Sequence, residues 1–62
     1  MNRYTESLIK ARDCAGMTVN DIREALKYAE LLESLVLCDA LKDALAAHDR
    51  LRQLVSAIES SS

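Results

Sequence analysis

The sequence contains no proline, tryptophan or phenylalanine, only one glycine and only two tyrosines among its 62 residues. Proline and glycine shape tight turns, and aromatic residues favour strands, so their scarcity argues against a β fold. Half of the chain is hydrophobic, and leucine, alanine, valine and isoleucine supply most of that half. Leucine and alanine are strong helix formers, so we expect an all-α protein.

An excess of basic charge is also absent, because the net charge is −2 and the sequence pI is about 5.2. A module that binds nucleic-acid phosphates by itself is normally basic, so the charge argues against independent DNA binding. No apolar run is long enough to span a bilayer, and residues 1–10 hold no apolar signal core. We therefore expect a cytoplasmic protein that does not contact a membrane.

Two cysteines, Cys14 and Cys38, allow at most one disulfide. In a reducing cytosol we expect two thiols, at least one of them partly buried as a small hydrophobic residue. A thiolate site for a soft metal needs at least two convergent ligands, so Cys14 would have to fold back onto Cys38. We expect no metal and no cofactor.

The first half of the chain predicts a helical hairpin, that is, two helices separated by the single glycine. Apolar residues at helical spacing predict a first helix over residues 3–15, with Asn2 as its N-cap. Gly16 is the natural left-handed stop for such a helix. Thr18 then offers a cap for a second helix, which we predict over residues 19–34.

The apolar phase changes at "SLVLCD", where two seven-residue patterns meet out of register. This change predicts a break within residues 34–39 and a third helix over residues 37–59, followed by a polar tail over residues 60–62. The alternative is one bent helix that is buried on both sides at this place.

The third predicted helix carries an apolar seam whose members alternate four and three residues apart over about three heptads. A first helix that ends at residue 15 is about 20 Å long, too short to cover such a seam. We therefore expect a homodimer, as an antiparallel coiled coil or a helix bundle, while a monomeric three-helix bundle is the alternative. The predicted dimer interface consists of Leu37, Leu41, Ala44, Leu45, His48, Leu51, Leu54, Val55 and Ile58.

Residues capable of chemistry are few. His48 lies on the seam, where we expect a packing role, although two copies near a dimer axis could titrate in the physiological range. Tyr28 is expected to be a half-buried packing residue, and Asp39 with Asp43 to be a solvated helix face. The sequence has no Ser–His–Asp set, no glycine-rich phosphate loop and no Cys-x-x-Cys motif. We expect no enzymatic activity.

The stretch "YTESLIKARDCAGMTVNDIREAL" resembles the segment that follows the winged helix-turn-helix of MerR-type transcription regulators. The following "LKDALAAHDRLRQLVSAIE" is similar, in length and apolar spacing, to the long helix with which those regulators pair antiparallel. The matching residues are Tyr4, Thr5 and Glu6 at the start, Leu8, Ile9 and Arg12 on the first helix, and Gly16, Met17, Thr18, Val19, Ile22 and Leu26 around the corner.

The resemblance covers residues 4–59 and implies a dimerisation and signal-coupling module that sets the spacing of two DNA-reading heads. The sequence lacks the winged domain itself, so we expect either a fragment or a free-standing product that acts through partners such as a MerR-type regulator. Contact with DNA would occur only through a winged domain. The alternative is a small helical adaptor, chaperone or regulatory protein unrelated to transcription, which acts by helix–helix packing.

Overall fold

The structure, a computed structural model, describes residues 2–61 as an all-helical hairpin. Helix α1 spans Arg3–Leu26 and helix α2 spans Leu31–Ser60, and the two pack against each other along their length. The Cα positions occupy 47 × 14 × 12 Å, which is a rod two helices wide. The all-α class and a helical hairpin are confirmed, although the hairpin turns after Leu26 and not at Gly16, and residues 2–61 contain no strand.

Helix α1 begins as the sequence predicts but continues far beyond the predicted end. The Asn2 side chain accepts a hydrogen bond from the Thr5 backbone N–H at 2.8 Å, which confirms the N-cap. The predicted stop at Gly16 is wrong, because Gly16 has no positive φ and lies inside the helix. Thr18 does not cap a new helix; its hydroxyl donates to the Cys14 carbonyl at 3.0 Å within the same helix.

The chain reverses at residues 27–30, inside the segment for which we predicted a helix over 19–34, so that prediction is wrong. The turn contains neither glycine nor proline, and local hydrogen bonds define it instead. The Lys27 N–H donates to the Glu24 carbonyl at 3.2 Å as α1 ends. The Glu33 carboxylate then accepts from the Glu30 N–H at 3.0 Å, which stabilises the first turn of α2.

Helix α2 is continuous through residues 34–39, so the predicted break there is wrong. The predicted third helix over 37–59 is the later part of α2, which begins at Leu31 and ends at Ser60. A single helix through "SLVLCD" is the alternative that we stated, but it is not buried on both sides there, because Leu35 and Val36 are 60% and 69% exposed. Of the predicted tail over 60–62, Ser60 closes α2, Ser61 is its C-cap, and Ser62 lies outside the described residues.

The core of the hairpin is the contact between the two helices. Thr5, Val19 and Val55 are buried there. Around them, half-buried residues recur three and four apart on both helices, the pattern of an antiparallel coiled-coil hairpin. On α1 they are Leu8, Ile9, Arg12, Ala15, Gly16, Ile22 and Leu26; on α2 they include Leu37, Leu41, Ala44, His48, Leu51 and Ile58.

The predicted dimer seam therefore lies against α1 of the same chain. Our premise that the first helix is too short was wrong, because α1 has 24 residues and is about 36 Å long. The seam from Leu37 to Ile58 is about 32 Å long by the same measure. Leu45 and Leu54, which flank the seam, remain 39% and 41% exposed.

We predict that Val55→Asp abolishes cooperative folding, because it buries an unpaired carboxylate at a position that is 1% exposed. Ala57→Asp is the matched control, since Ala57 is exposed on the same helix and the change there costs only about 0.5 kcal/mol of helix propensity. Thermal unfolding followed by circular dichroism compares the two variants. Equal melting temperatures for both would contradict the assignment of Val55 to the core.

We also predict that Gly16 and His48 are energetically coupled. A Cβ at Gly16 would lie 3.2 Å from Nε2 of His48, so Gly16→Ala must displace the imidazole. In a His48→Ala background the same change should stabilise the helix by about 1 kcal/mol. Denaturant unfolding of the four proteins in this cycle should give a smaller gain, or a loss, when His48 is present. Equal effects in both backgrounds would show that the ring does not pack on Gly16.

Candidate interaction surface

Exposed large apolar side chains concentrate at the hairpin turn. Within residues 28–36, five such side chains are 60–80% exposed, and we name this group the tip patch. Scattered exposed hydrophobic residues are normal on a protein surface, whereas a contiguous group marks an interaction site. The tip patch consists of Tyr28 (80% exposed), Leu31 (78%), Leu32 (76%), Leu35 (60%) and Val36 (69%).

The tip patch exists because the first turns of α2 are apolar on nearly every side. Leu37 faces α1, and Leu35, two residues earlier, lies about 160° away around the helix. Leu31 and Leu32 lie on either side of Leu35 one turn before it. A helix that is apolar all round is normally buried, but α1 can cover only one of its faces.

A groove of about 570 Å³ opens beside the tip patch, between the end of α1 and the start of α2. Its volume is within the range of small-molecule pockets, but it is open to solvent along its length. Such a shape fits the side chains of a packed helix better than it encloses a small substrate. The lining residues are Ala25, Tyr28, Ala29, Glu33, Val36 and Leu37.

The charges around the turn are mainly acidic. Glu24 and Lys27 form an exposed ion pair at 3.0 Å, which contributes little to stability. Glu30 and Glu33 add two further exposed carboxylates at the start of α2. The nearest exposed cation along α2 is Lys42, on the same side of the helix as Leu35. The tip patch is thus bordered by negative charge at the turn, by the exposed carboxylate of Asp39 one turn beyond Leu35, and by a positive charge two turns beyond it.

A second open groove, also of about 570 Å³, lies at the opposite end of the hairpin. Its two guanidinium groups already contact carboxylates on their own helices, Arg12 with Asp13 at 3.2 Å and Arg52 with Asp49 at 3.8 Å. These local ion pairs make the groove polar and leave the tip patch as the main apolar surface.

Most of the residues that the sequence suggested for chemistry lie apart from one another in the structure. Cys14 and Cys38 are both exposed thiols, so the expected partial burial is wrong. Each lies outside the face with which its helix contacts the other. Tyr28 is 80% exposed rather than half-buried, because it lies in the turn beyond the reach of α1. His48 does pack, against Gly16, as expected for a seam residue.

Within residues 2–61, no three or more histidine, cysteine, aspartate or glutamate side chains come together in a way that could hold a metal ion.

We did not predict the tip patch from the sequence, although "LLESLVLC" carries its signal, namely more apolar residues than one helix face can accommodate. We interpreted that excess as a change of helix.

The chain matches no protein-family model, no curated protein and no solved structure. Neither helix within residues 2–61 combines the length and the hydropathy that crossing a bilayer requires.

Proposed function

We propose that this chain is a protein-interaction module that works by helix–helix packing and catalyses no reaction. The observation that carries the proposal is the tip patch, in which five large apolar side chains expose more than half of their surface within nine consecutive positions. Each such side chain gains about 1.5–3 kcal/mol when it leaves water completely. A partner that covers the tip patch therefore has a substantial driving force available.

The shape of the surface supports the same proposal. Both grooves are open, and the carboxylates near the tip are exposed, whereas acid–base catalysis usually depends on an enclosed, perturbed pair. An open apolar groove beside an apolar helix face is the arrangement that receives an amphipathic helix, whose side chains insert at every third or fourth residue.

Coupling of two DNA-reading heads, as the resemblance to MerR-type regulators implies, is a specialised form of this proposal. Its support is the Tyr4-Thr5-Glu6 start and the length of α2, which has 30 residues. The corner at Gly16 no longer supports it, because α1 is continuous there. In this form DNA is contacted only through a winged domain, and the module contributes the fixed spacing between heads.

The test uses a tagged copy of the chain, expressed in cells that also make the untagged chain. The proteins that stay bound to the tagged copy after purification are then identified. Leu32→Glu/Val36→Glu should reduce the retained partner at least about tenfold, since loss of about 1.4 kcal/mol suffices for that factor. Both positions are highly exposed, so the hairpin itself should remain folded. Ala46→Glu/Ala57→Glu is the matched control, because it adds the same charge at exposed positions away from the turn.

Retention that is equal for wild type and Leu32→Glu/Val36→Glu would contradict the tip patch as the interaction surface. The specialised form makes a further prediction, that a MerR-type regulator is among the retained proteins. Mixing the chain with such regulators at micromolar concentration, without any complex forming, would contradict that form alone.

A further inference from the structure

We propose that the tip patch binds a second copy of this chain, and that the two α2 helices cross antiparallel at Leu35. This inference rests on the proposed function and names its partner. The dimer differs from the one that the sequence predicted, because it uses the outer face of α2 near the turn. The seam from Leu37 to Ile58 stays packed against α1 within each copy.

The area of the tip patch is what a dimer of this size needs. Its five side chains, at 60–80% exposure, present on the order of 600 Å². Two identical patches that covered each other completely would remove at most about 1,200 Å² from water, which is the lower bound of specific interfaces. Patches on stable monomers rarely exceed about 600 Å², so the tip patch is at the limit of what a chain leaves uncovered.

The geometry of α2 suits a second α2 helix. Leu35 projects away from α1, with Leu31 and Leu32 on either side of it, so the three form an apolar ridge on the outer face. A second copy of this ridge offers the same spacing of side chains and can interdigitate with the first. The result is a four-helix arrangement in which the two α2 helices are central and the two α1 helices lie outside.

The charges favour the antiparallel direction. In a parallel pair, identical residues meet across the axis, so Lys42 would approach Lys42 of the other copy. In an antiparallel crossing at Leu35, Lys42 lies seven residues from the crossing and reaches the level of the other copy's turn. There it no longer meets its own counterpart, so the like-charge contact of a parallel pair is avoided.

The same charges argue against a lipid surface as the occupant. Glu24, Glu30 and Glu33 surround the turn, and the cations near it are Arg23 and Lys27, of which Lys27 is paired with Glu24. Binding to anionic headgroups normally requires lysine and arginine around the apolar face. A second copy covers the apolar part of this surface without requiring basic residues around it.

The test compares the thiol reactivity of Cys38 with that of Cys14 as the protein concentration is raised. Both thiols are exposed in the hairpin, and Cys14 is on α1, so it is an internal control. Cys38 is one turn beyond Leu35 and would face Leu31 of the other copy. We expect Cys38, but not Cys14, to react at least about tenfold more slowly in concentrated protein, which corresponds to about 1.4 kcal/mol of protection.

Sedimentation of the same samples should show a change from about 7 kDa to about 14 kDa over the range in which Cys38 becomes protected. Leu35→Glu should abolish both effects while Ala46→Glu leaves them intact. A 7 kDa species at every concentration, with Cys38 always reactive, would overturn the proposal. If the chain is such a monomer and Leu32→Glu/Val36→Glu still reduces the captured proteins, a second copy is rejected as the partner. The proposed function is then retained.

Oxidative cross-linking tests the direction of the pair. In a Cys14→Ser background, a chain carrying Leu31→Cys and Cys38→Ser is mixed with a chain that keeps Cys38. The antiparallel crossing predicts a disulfide between the two different chains. A product dominated by the disulfide between two chains that keep Cys38 would show a parallel pair and overturn the antiparallel assignment.

Discussion

In a hairpin of two helices, each helix has a single neighbour, so only one face of each can leave water. For α2 this face is the seam from Leu37 to Ile58, and α1 covers it because it continues through Gly16 to Leu26. The close approach of the His48 ring to Gly16 shows how tightly the two helices meet at mid-length. Everything apolar that lies outside this contact remains at the surface, and the tip patch is the largest such group.

The same constraint limits stability. Only three of the described residues are buried, and a chain of this size has little apolar surface to remove from water. Small domains usually recover stability from a disulfide, a metal or association. The two cysteines are exposed thiols on different helices, and the described residues form no cluster that could hold a metal. Association through the tip patch would bury large apolar side chains that the hairpin leaves exposed. It would also make the measured stability depend on protein concentration.

The sequence predicted some features well because they depend on local chemistry. The all-α class follows from composition, and Asn2 was identified as a cap because its side chain can accept a backbone N–H. The heptad spacing from Leu37 to Ile58 was also visible, but periodicity shows only that a face is buried and does not identify what covers it. We assigned it to a second chain because we had ended α1 too early.

The errors have specific physical causes. Gly16 is a stop by propensity, yet a helix can continue through glycine at about 1 kcal/mol, and here the missing side chain makes room for His48. The turn at residues 27–30 has no glycine or proline to mark it and depends on hydrogen bonds such as that between Glu30 and Glu33. The phase change at "SLVLCD" was interpreted as a break because we assumed one buried face per helix. The two apolar faces in one helix are what creates the tip patch.

Residue-resolved hydrogen exchange on dilute protein tests the central claim most directly, because it measures where the helices begin and end. Two continuous helices predict protected amides on both sides of Gly16 and throughout residues 34–39, with rapid exchange at residues 27–30. Rapid exchange at Gly16 and within 34–39, together with protection across 27–30, would instead show three helices. In that case α1 would not cover the seam, and both the fold described above and the tip patch would be contradicted.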